Sequence, residues 1–146
     1  MRPRTRERGV NLKRTYAGLD DPVTWKPLPS WACPDGEFVN LNACFSPNDF
    51  VCAYAATTLV SDAERKVTFV MGSDDGIAVW VNGQKILSHD VLRGVTKDQE
   101  KVEVTLKKGE NNVLIKVTES VGGWGFYFRM IDPDTGQPPS GVTFKH

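Results

Sequence analysis

Short runs in which apolar and polar residues alternate one by one dominate the chain between positions 65 and 131. In residues 112–118, for example, Val113, Ile115 and Val117 occupy every second position. Successive side chains of an extended strand point to opposite faces, so a run of this kind gives a strand one apolar face. No window of eleven or more residues shows strong helical periodicity. The pattern therefore predicts an all-β fold.

The alternating runs are separated by turn residues, which divide the chain into candidate strands. These strands cover residues 37–45, 50–60, 65–72, 76–82, 85–88, 100–106, 112–118 and 124–131. Asn82-Gly83 is a strong signal for a two-residue hairpin, because both residues tolerate positive φ. Strands with one apolar face are best buried when two sheets press those faces together. We predict an antiparallel β-sandwich of the jelly-roll type, with a closed barrel as the structural alternative.

The first part of the chain differs from the rest in composition. It lacks alternation, is rich in proline, and places six of the basic residues within the first fourteen positions. We predict an irregular, proline-rich and basic N-terminal arm over residues 1–35 and a β-sandwich domain over residues 36–146. No apolar segment follows Met1, so the sequence shows no secretion signal.

Charge and cysteine content narrow the classes of partner. The 18 Lys and Arg residues balance 18 Asp and Glu residues, which argues against a nucleic-acid-binding protein. No apolar run approaches the roughly 20 residues needed to span a bilayer, so we predict no membrane span. The spacing of Cys33, Cys44 and Cys52 matches no zinc motif and leaves open either one disulfide or three free thiols.

Two adjacent carboxylates occur in the motif Gly72-Ser73-Asp74-Asp75-Gly76. Their mutual repulsion needs compensation, and Ca²⁺ prefers hard carboxylate oxygens. Both side chains could reach one ion only if the backbone turns there, or in the extreme case adopts a non-proline cis bond. The alternative is a turn whose carboxylates accept backbone N–H bonds. Asp74 and Asp75 are therefore the candidate ligands of a calcium ion.

A tryptophan flanked by glycines opens the last predicted strand, in Gly122-Gly123-Trp124-Gly125. Glycines give the indole little cover, so we expect Trp124 to be exposed and able to stack on the apolar face of a sugar ring. The alternative is that Trp124 caps one end of the core and that the glycines allow close backbone approach.

Catalytic signals are weak. His89 and Asp90 are adjacent, but no Gly-x-Ser-x-Gly nucleophile turn accompanies them. Glycosidases need two carboxyls held about 5–10 Å apart across the scissile bond, and Asp74 and Asp75 are neighbours that cannot straddle it while extended. We therefore predict that the chain is not an enzyme.

Several stretches carry a resemblance to a known module. They are GEFVNLN at 36–42, VCAYA at 51–55, GSDDGIAVWVNG at 72–83, KDQ at 97–99, KKGEN at 107–111 and GGWGFYFR at 122–129. Residues 36–142 resemble the galactose-binding-like jelly roll of bacterial secreted multidomain proteins, which also supplies the non-catalytic sandwich of large glycoside hydrolases. The SDDG turn is similar to that of PA14 domains.

The resemblance implies a location and a ligand set. It implies an extracellular or periplasmic protein that works within a larger parent protein. In PA14-type lectins, paired aspartates at such a turn coordinate Ca²⁺, which in turn binds a sugar. Asp74 and Asp75 match that motif, and Asn111 and Asn112 are available as a downstream asparagine ligand.

Our leading functional prediction is a non-catalytic carbohydrate-binding module with Ca²⁺ as its candidate cofactor and a glycan as its partner. Sugar stacking is assigned to Trp124, with help from Trp80 or Tyr127. Hydroxyl contacts, direct or through Ca²⁺, are assigned to Asp74, Asp75 and Arg93. The alternative function is a structural or protein-interaction β-sandwich, in which the sandwich packs against a neighbouring domain and the aspartates only close a turn.

Overall fold

A computed structural model describes residues 11–17, 22–46 and 48–145. Most of the predicted basic cluster lies outside the described residues. The strands are β1 (Thr15–Tyr16), β2 (Val23–Thr24), β3 (Phe38–Asn40), β4 (Val51–Ser61), β5 (Arg65–Asp74), β6 (Ile77–Val81), β7 (Gln84–His89), β8 (Glu100–Leu106), β9 (Gly109–Glu119), β10 (Gly125–Ile131) and β11 (Val142–Phe144). Short 3₁₀ helices occupy Ser30–Ala32 and Leu41–Ala43. In the part of the chain that the structure describes, no helix is long and apolar enough to cross a membrane.

The strands form two main sheets and one small hairpin. One sheet has the order β3-β10-β5-β8 and the other has the order β11-β4-β9-β6-β7, while β1 pairs with β2 in a separate two-stranded sheet. Every strand pair is antiparallel. The arrangement confirms the predicted all-β fold of antiparallel sandwich type.

The apolar stripes of both sheets meet in one buried cluster. Phe69 and Met71 of β5 belong to it, together with Val79 of β6 and Val113 of β9. All four side chains are at most 1% exposed. Burial of apolar surface at about 25 cal/mol per Å² is the main force holding such sheets together. The core therefore lies on the alternating apolar faces that the sequence predicted.

Both ends of the sandwich can be followed along β4 and β9. At one end Val51 pairs with Glu119, and at the other Ser61 pairs with Gly109. We call the first the carboxylate end and the second the turn end. The hairpin at the turn end is the predicted one, with φ of 51° at Asn82 and 81° at Gly83.

The predicted strand 37–45 is wrong in its second half. The strand ends at Asn40 and a 3₁₀ helix follows. The N–H groups of Leu41 and Asn42 both donate to the carbonyl oxygen of Trp124, at 2.9 and 3.3 Å. Because one acceptor serves two successive donors, the chain turns here instead of continuing the ladder. Phe45 is consequently exposed and does not lie on the core face.

The segment before β3 reaches the sandwich through its last residues. Ala32 is fully buried and Cys33 packs against the core cluster. Cys33, Cys44 and Cys52 are free thiols, and burial raises the pKa of Cys33 and of Cys44. The boundary between arm and sandwich at residues 35 and 36 stays a prediction.

Candidate functional site

Three carboxylates meet at the carboxylate end of the sandwich. Asp74 closes β5, Asp75 follows it through a cis peptide bond, and Glu119 closes β9. Each offers one oxygen, and these oxygens lie within 4.8 Å of one another. We call this group the carboxylate cluster.

Asp75 is the fixed member of the cluster. Its Oδ1 accepts the backbone N–H of Arg93 at 3.0 Å, and its Oδ2 accepts the backbone N–H of Ser120 at 2.8 Å. Its own N–H donates to the carbonyl oxygen of Thr118 at 2.8 Å. Asp75 therefore accepts backbone N–H bonds, as the turn alternative predicts. It is also held beside two other carboxylates, which that alternative does not require.

Glu119 is the unsatisfied member of the cluster. Its residue is only 4% exposed, and within residues 11–17, 22–46 and 48–145 neither carboxylate oxygen has a hydrogen-bond partner. Burial, followed by the charges of Asp75 and Asp74, raises its pKa to about 7. A buried ionised carboxylate is costly unless a partner compensates its charge. This environment favours either a proton or a cation at Glu119.

Asp74 completes the cluster from the solvent side. It is half-buried, and burial together with the neighbouring charge of Asp75 raises its pKa. Its Oδ2 lies against Gly123, where a Cβ atom would approach it to 2.7 Å. Gly123 thus lets the loop that carries Trp124 pass close to the Asp74 carboxylate, which would have to shift to make room for a side chain.

A second loop, residues 90–99, braces the cluster from the other side. The guanidinium of Arg93 donates to the hydroxyl of Ser73 at 2.9 Å and to its carbonyl oxygen at 3.2 Å. The same guanidinium pairs with Glu100 at 3.2 Å. The side-chain oxygen of Gln99 accepts the N–H of Ser73 at 2.9 Å. Arg93 thus reaches the predicted site, where its side chain positions the turn that carries the aspartates.

The two tryptophans that were predicted to stack on a sugar, Trp124 and Trp80, are buried. Trp124 is 3% exposed, and its ring lies 5.7 Å from that of Phe45. Its indole N–H donates to the carbonyl oxygen of Val117 at 3.4 Å. Trp80 is 6% exposed, with the ammonium of Lys85 5.3 Å above its ring. The expectation of an exposed indole is therefore wrong, and Trp124 takes its alternative role as a cap on the core.

Tyr127 lies on β10, the strand that pairs with the aspartate-bearing end of β5. It pairs with Gly72 across β10 and β5 and is half-buried. Its ring contacts that of Phe38 at a centroid distance of 4.9 Å, and the ammonium of Lys97 lies 5.6 Å from it. The structure therefore places the Tyr127 ring beside Phe38 and Lys97.

Asparagines 111 and 112 are excluded as partners of the aspartates. Both begin β9, whereas the carboxylate cluster lies where β9 ends. The side chain of Asn111 is already committed, because its oxygen accepts from Lys107 and Asn82 and its amide donates to Lys107 and Gly109.

Sequence reasoning missed Glu119, although a signal for it exists. Glu119 occupies the next alternate position after Val113, Ile115 and Val117. A strand that continues through it must place a carboxylate on the core face. Such a residue calls for a compensating partner.

Residues 47–135 match the family described as alpha-L-rhamnosidase, domain D2. The match covers more than half of the chain. The chain belongs to the alpha-L-rhamnosidase domain D2 family. The whole carboxylate cluster lies within the D2 match, and so do Arg93 and Trp124.

Two solved structures are similar to this D2 domain. One is the PA14 domain of the MpAFP antifreeze protein, with 15% identity and a TM-score of 0.49 over 59% of this chain and 45% of that chain. The other is a family 35 carbohydrate-binding module from an environmental isolate, with 19% identity and a TM-score of 0.44 over 66% of this chain and 72% of that chain. The chain therefore spans less than half the length of the first structure. No curated protein matches the sequence.

Proposed function

We propose that the chain is a non-catalytic carbohydrate-binding module that holds Ca²⁺ at the carboxylate cluster. The single observation that carries the proposal is Glu119, whose two oxygens are buried beside Asp74 and Asp75 without a hydrogen-bond partner among the described residues. Three carboxylates in contact repel one another, and a divalent cation offsets that repulsion.

The residues present fit calcium better than a transition metal. The cluster offers only carboxylate oxygens, and hard oxygen donors suit Ca²⁺. Asp74, Asp75 and Glu119 would hold the ion. Asp75 is already oriented by the backbone N–H groups of Arg93 and Ser120. Ca²⁺ takes six to eight ligands, so further positions would remain for water or for sugar hydroxyls.

The proposed ligand is a sugar that contributes hydroxyl oxygens to the ion. The parent enzyme in the family name acts on L-rhamnosides, so L-rhamnose is the first sugar to test. We place the module in the extracellular or periplasmic space, where the weak calcium sites of extracellular modules, with Kd of about 0.1–1 mM, are filled.

The structural or interaction module remains the alternative proposal. Leu28 and Trp31 support it, since they are 52% and 62% exposed in the segment before β3. Exposed large apolar side chains are typical of surfaces that contact a neighbouring domain. A chain that binds neither Ca²⁺ nor any sugar would favour this function.

The first experiment measures how Ca²⁺ changes the unfolding free energy of the protein. For the wild type, 100-fold excess of Ca²⁺ over its Kd should raise the unfolding free energy by about 2.7 kcal/mol. The Glu119→Gln variant should lose at least about tenfold in calcium affinity while remaining folded, because it keeps its shape and loses its charge. Glu103→Gln is the matched control, since Glu103 is an exposed member of an ion pair with Lys66.

Sugar binding is then measured by calorimetry with L-rhamnose in Ca²⁺ and in EGTA. We expect heat of binding only in Ca²⁺, and none for Glu119→Gln. An unchanged melting temperature in Ca²⁺ would reject the ion site, and equal sugar affinity in EGTA would reject the ion's part in recognition.

A further inference from the structure

An exposed aromatic residue has its backbone hydrogen-bonded to the loop that holds the carboxylate cluster. Phe50 is 77% exposed, the highest value among the exposed phenylalanines Phe45, Phe50 and Phe144. It directly precedes β4. Its N–H donates to the carbonyl oxygen of Ser120 at 2.7 Å, and the N–H of Ser120 donates to Asp75 at 2.8 Å. Phe50 is therefore two hydrogen bonds away from the best-fixed carboxylate of the cluster.

The backbone at Phe50 is unusual for an aromatic residue. Its φ is 55°, in the left-handed region that bulky side chains rarely adopt. Strained conformations of this kind concentrate at functional sites. The core gains nothing from a side chain that is 77% exposed. Neither local conformation nor packing therefore explains a phenylalanine at this position.

Further exposed apolar side chains neighbour residues of the site in sequence or in space. Val121 follows Ser120 and is 59% exposed, and Phe45 is 44% exposed beside Trp124. On the other loop Leu92 is 81% exposed, and it precedes Arg93, whose N–H holds Asp75. Exposed apolar side chains thus occur on both of the loops whose backbone N–H groups hold Asp75. A ligand that has both polar oxygens and an apolar face fits these surroundings.

We propose that the ring of Phe50 is the stacking surface for the sugar bound at the carboxylate cluster. This inference rests on the proposed function and names the ligand class: a pyranose that gives neighbouring hydroxyls to the ion and its C–H-rich face to the ring. The negative face of an aromatic ring attracts polarised C–H groups, and the contact removes apolar surface from water. Phe50 takes the role that the sequence assigned to Trp124.

The test compares three variants of the full chain. Phe50→Ala removes the ring, and Phe50→Trp enlarges it. Phe144→Ala is the matched control, because Phe144 is 44% exposed and pairs with Leu59. Leu59 lies eight positions along β4 from Val51, or about 26 Å at the rise of a strand.

Calcium binding and sugar binding are measured separately by calorimetry, with CaCl₂ alone and then with L-rhamnose, D-mannose and D-galactose in saturating Ca²⁺. Phe50→Ala should bind Ca²⁺ like the wild type and lose about tenfold in affinity for the sugar that binds. Phe50→Trp should keep or improve that affinity, and its additional indole fluorescence should shift on sugar addition. Phe144→Ala should match the wild type in both measurements.

The outcomes separate the two proposals. Unchanged sugar affinity in Phe50→Ala overturns the stacking role and leaves the calcium-dependent module standing. A wild type that binds Ca²⁺ but none of the three sugars overturns both the stacking role and the carbohydrate-binding function. Weaker Ca²⁺ binding in Phe50→Ala, in proportion to the loss of sugar affinity, overturns the stacking role, because the residue would then act on the ion site.

Discussion

The two ends of β9 carry buried polar residues with opposite surroundings. Asn111 at the turn end is fully buried and makes four side-chain hydrogen bonds of 3.0 to 3.1 Å. Glu119 at the carboxylate end is 4% exposed, and its side chain has no hydrogen-bond partner in the part of the chain that the structure describes. Both side chains lie on the core face of the same strand. The first uses its donors and acceptors to close the fold, whereas the second is left with a charge that the fold itself does not compensate.

The comparison separates stability from function. A buried amide whose donors and acceptors are all used rigidifies its surroundings. A buried carboxylate beside two others costs stability unless a proton or a cation joins it. The turn end therefore stabilises the fold. The carboxylate end lowers the stability of the metal-free fold and forms the proposed binding site. Three predictions test this division.

The largest expected effect is at the turn end. Asn111→Ala should lower the unfolding free energy by about 4 kcal/mol, because it removes four partly buried hydrogen bonds worth about 1 kcal/mol each, to Lys107, Gly109 and Asn82. Urea denaturation measures the change. The calcium-induced stabilisation of the variant should equal that of the wild type. A loss below about 1 kcal/mol would show that Asn111 does not close the turn end.

The pH dependence of stability in the metal-free protein should be a smaller effect, and it should come from Glu119 at the carboxylate end. The carboxyl of Glu119 has a pKa of about 7 in the folded chain and an ordinary value of 4.5. As pH rises from 4.5 to 7, the unfolded chain loses this proton first, so the folded chain binds more protons and stability falls. Over the full range between these two pKa values, the unfolding free energy should fall by about 3 kcal/mol.

Denaturation in EGTA from pH 4 to 8 measures this slope. Asp74, whose pKa is also raised, contributes with the same sign, so the quantity of interest is the difference between the wild type and Glu119→Gln. The variant should lose the part of the slope that belongs to Glu119, and Glu103→Gln should keep it. Identical slopes in wild type and Glu119→Gln would contradict the description of Glu119 as a buried, uncompensated acid.

The smallest effect is expected at the hairpin of the turn end. Asn82→Gly should cost about 1 kcal/mol, because the side chain of Asn82 donates to Asn111 and accepts from Asn112. Glycine tolerates the φ of 51°, so only the hydrogen bonds are lost. Asn82→Ala should cost more, since alanine is strained at this φ. If Asn82→Gly destabilises the fold as much as Asn111→Ala, the two asparagines act as a single unit and their hydrogen bonds do not contribute independently.

Much of the fold follows from local pattern, and most of the site does not. The stripe Val113, Ile115, Val117 and the Asn82-Gly83 turn predicted strands and a hairpin that the structure contains. The pairing of Asp74 and Asp75 marked the right turn as well. The strand predicted over 37–45 failed because the carbonyl of Trp124, distant in sequence, captures the N–H groups of Leu41 and Asn42.

The alternating sequence by itself determined which side chains face the core, because a strand has a period of two whatever its neighbours are. It placed even Glu119 on that face. Only the tertiary structure decided that Glu119 meets Asp74 and Asp75, that Trp124 is covered, and that Phe50 is not. Those outcomes depend on how the loops at one end of two sheets converge, and the periodicity of each strand carries no information about that convergence.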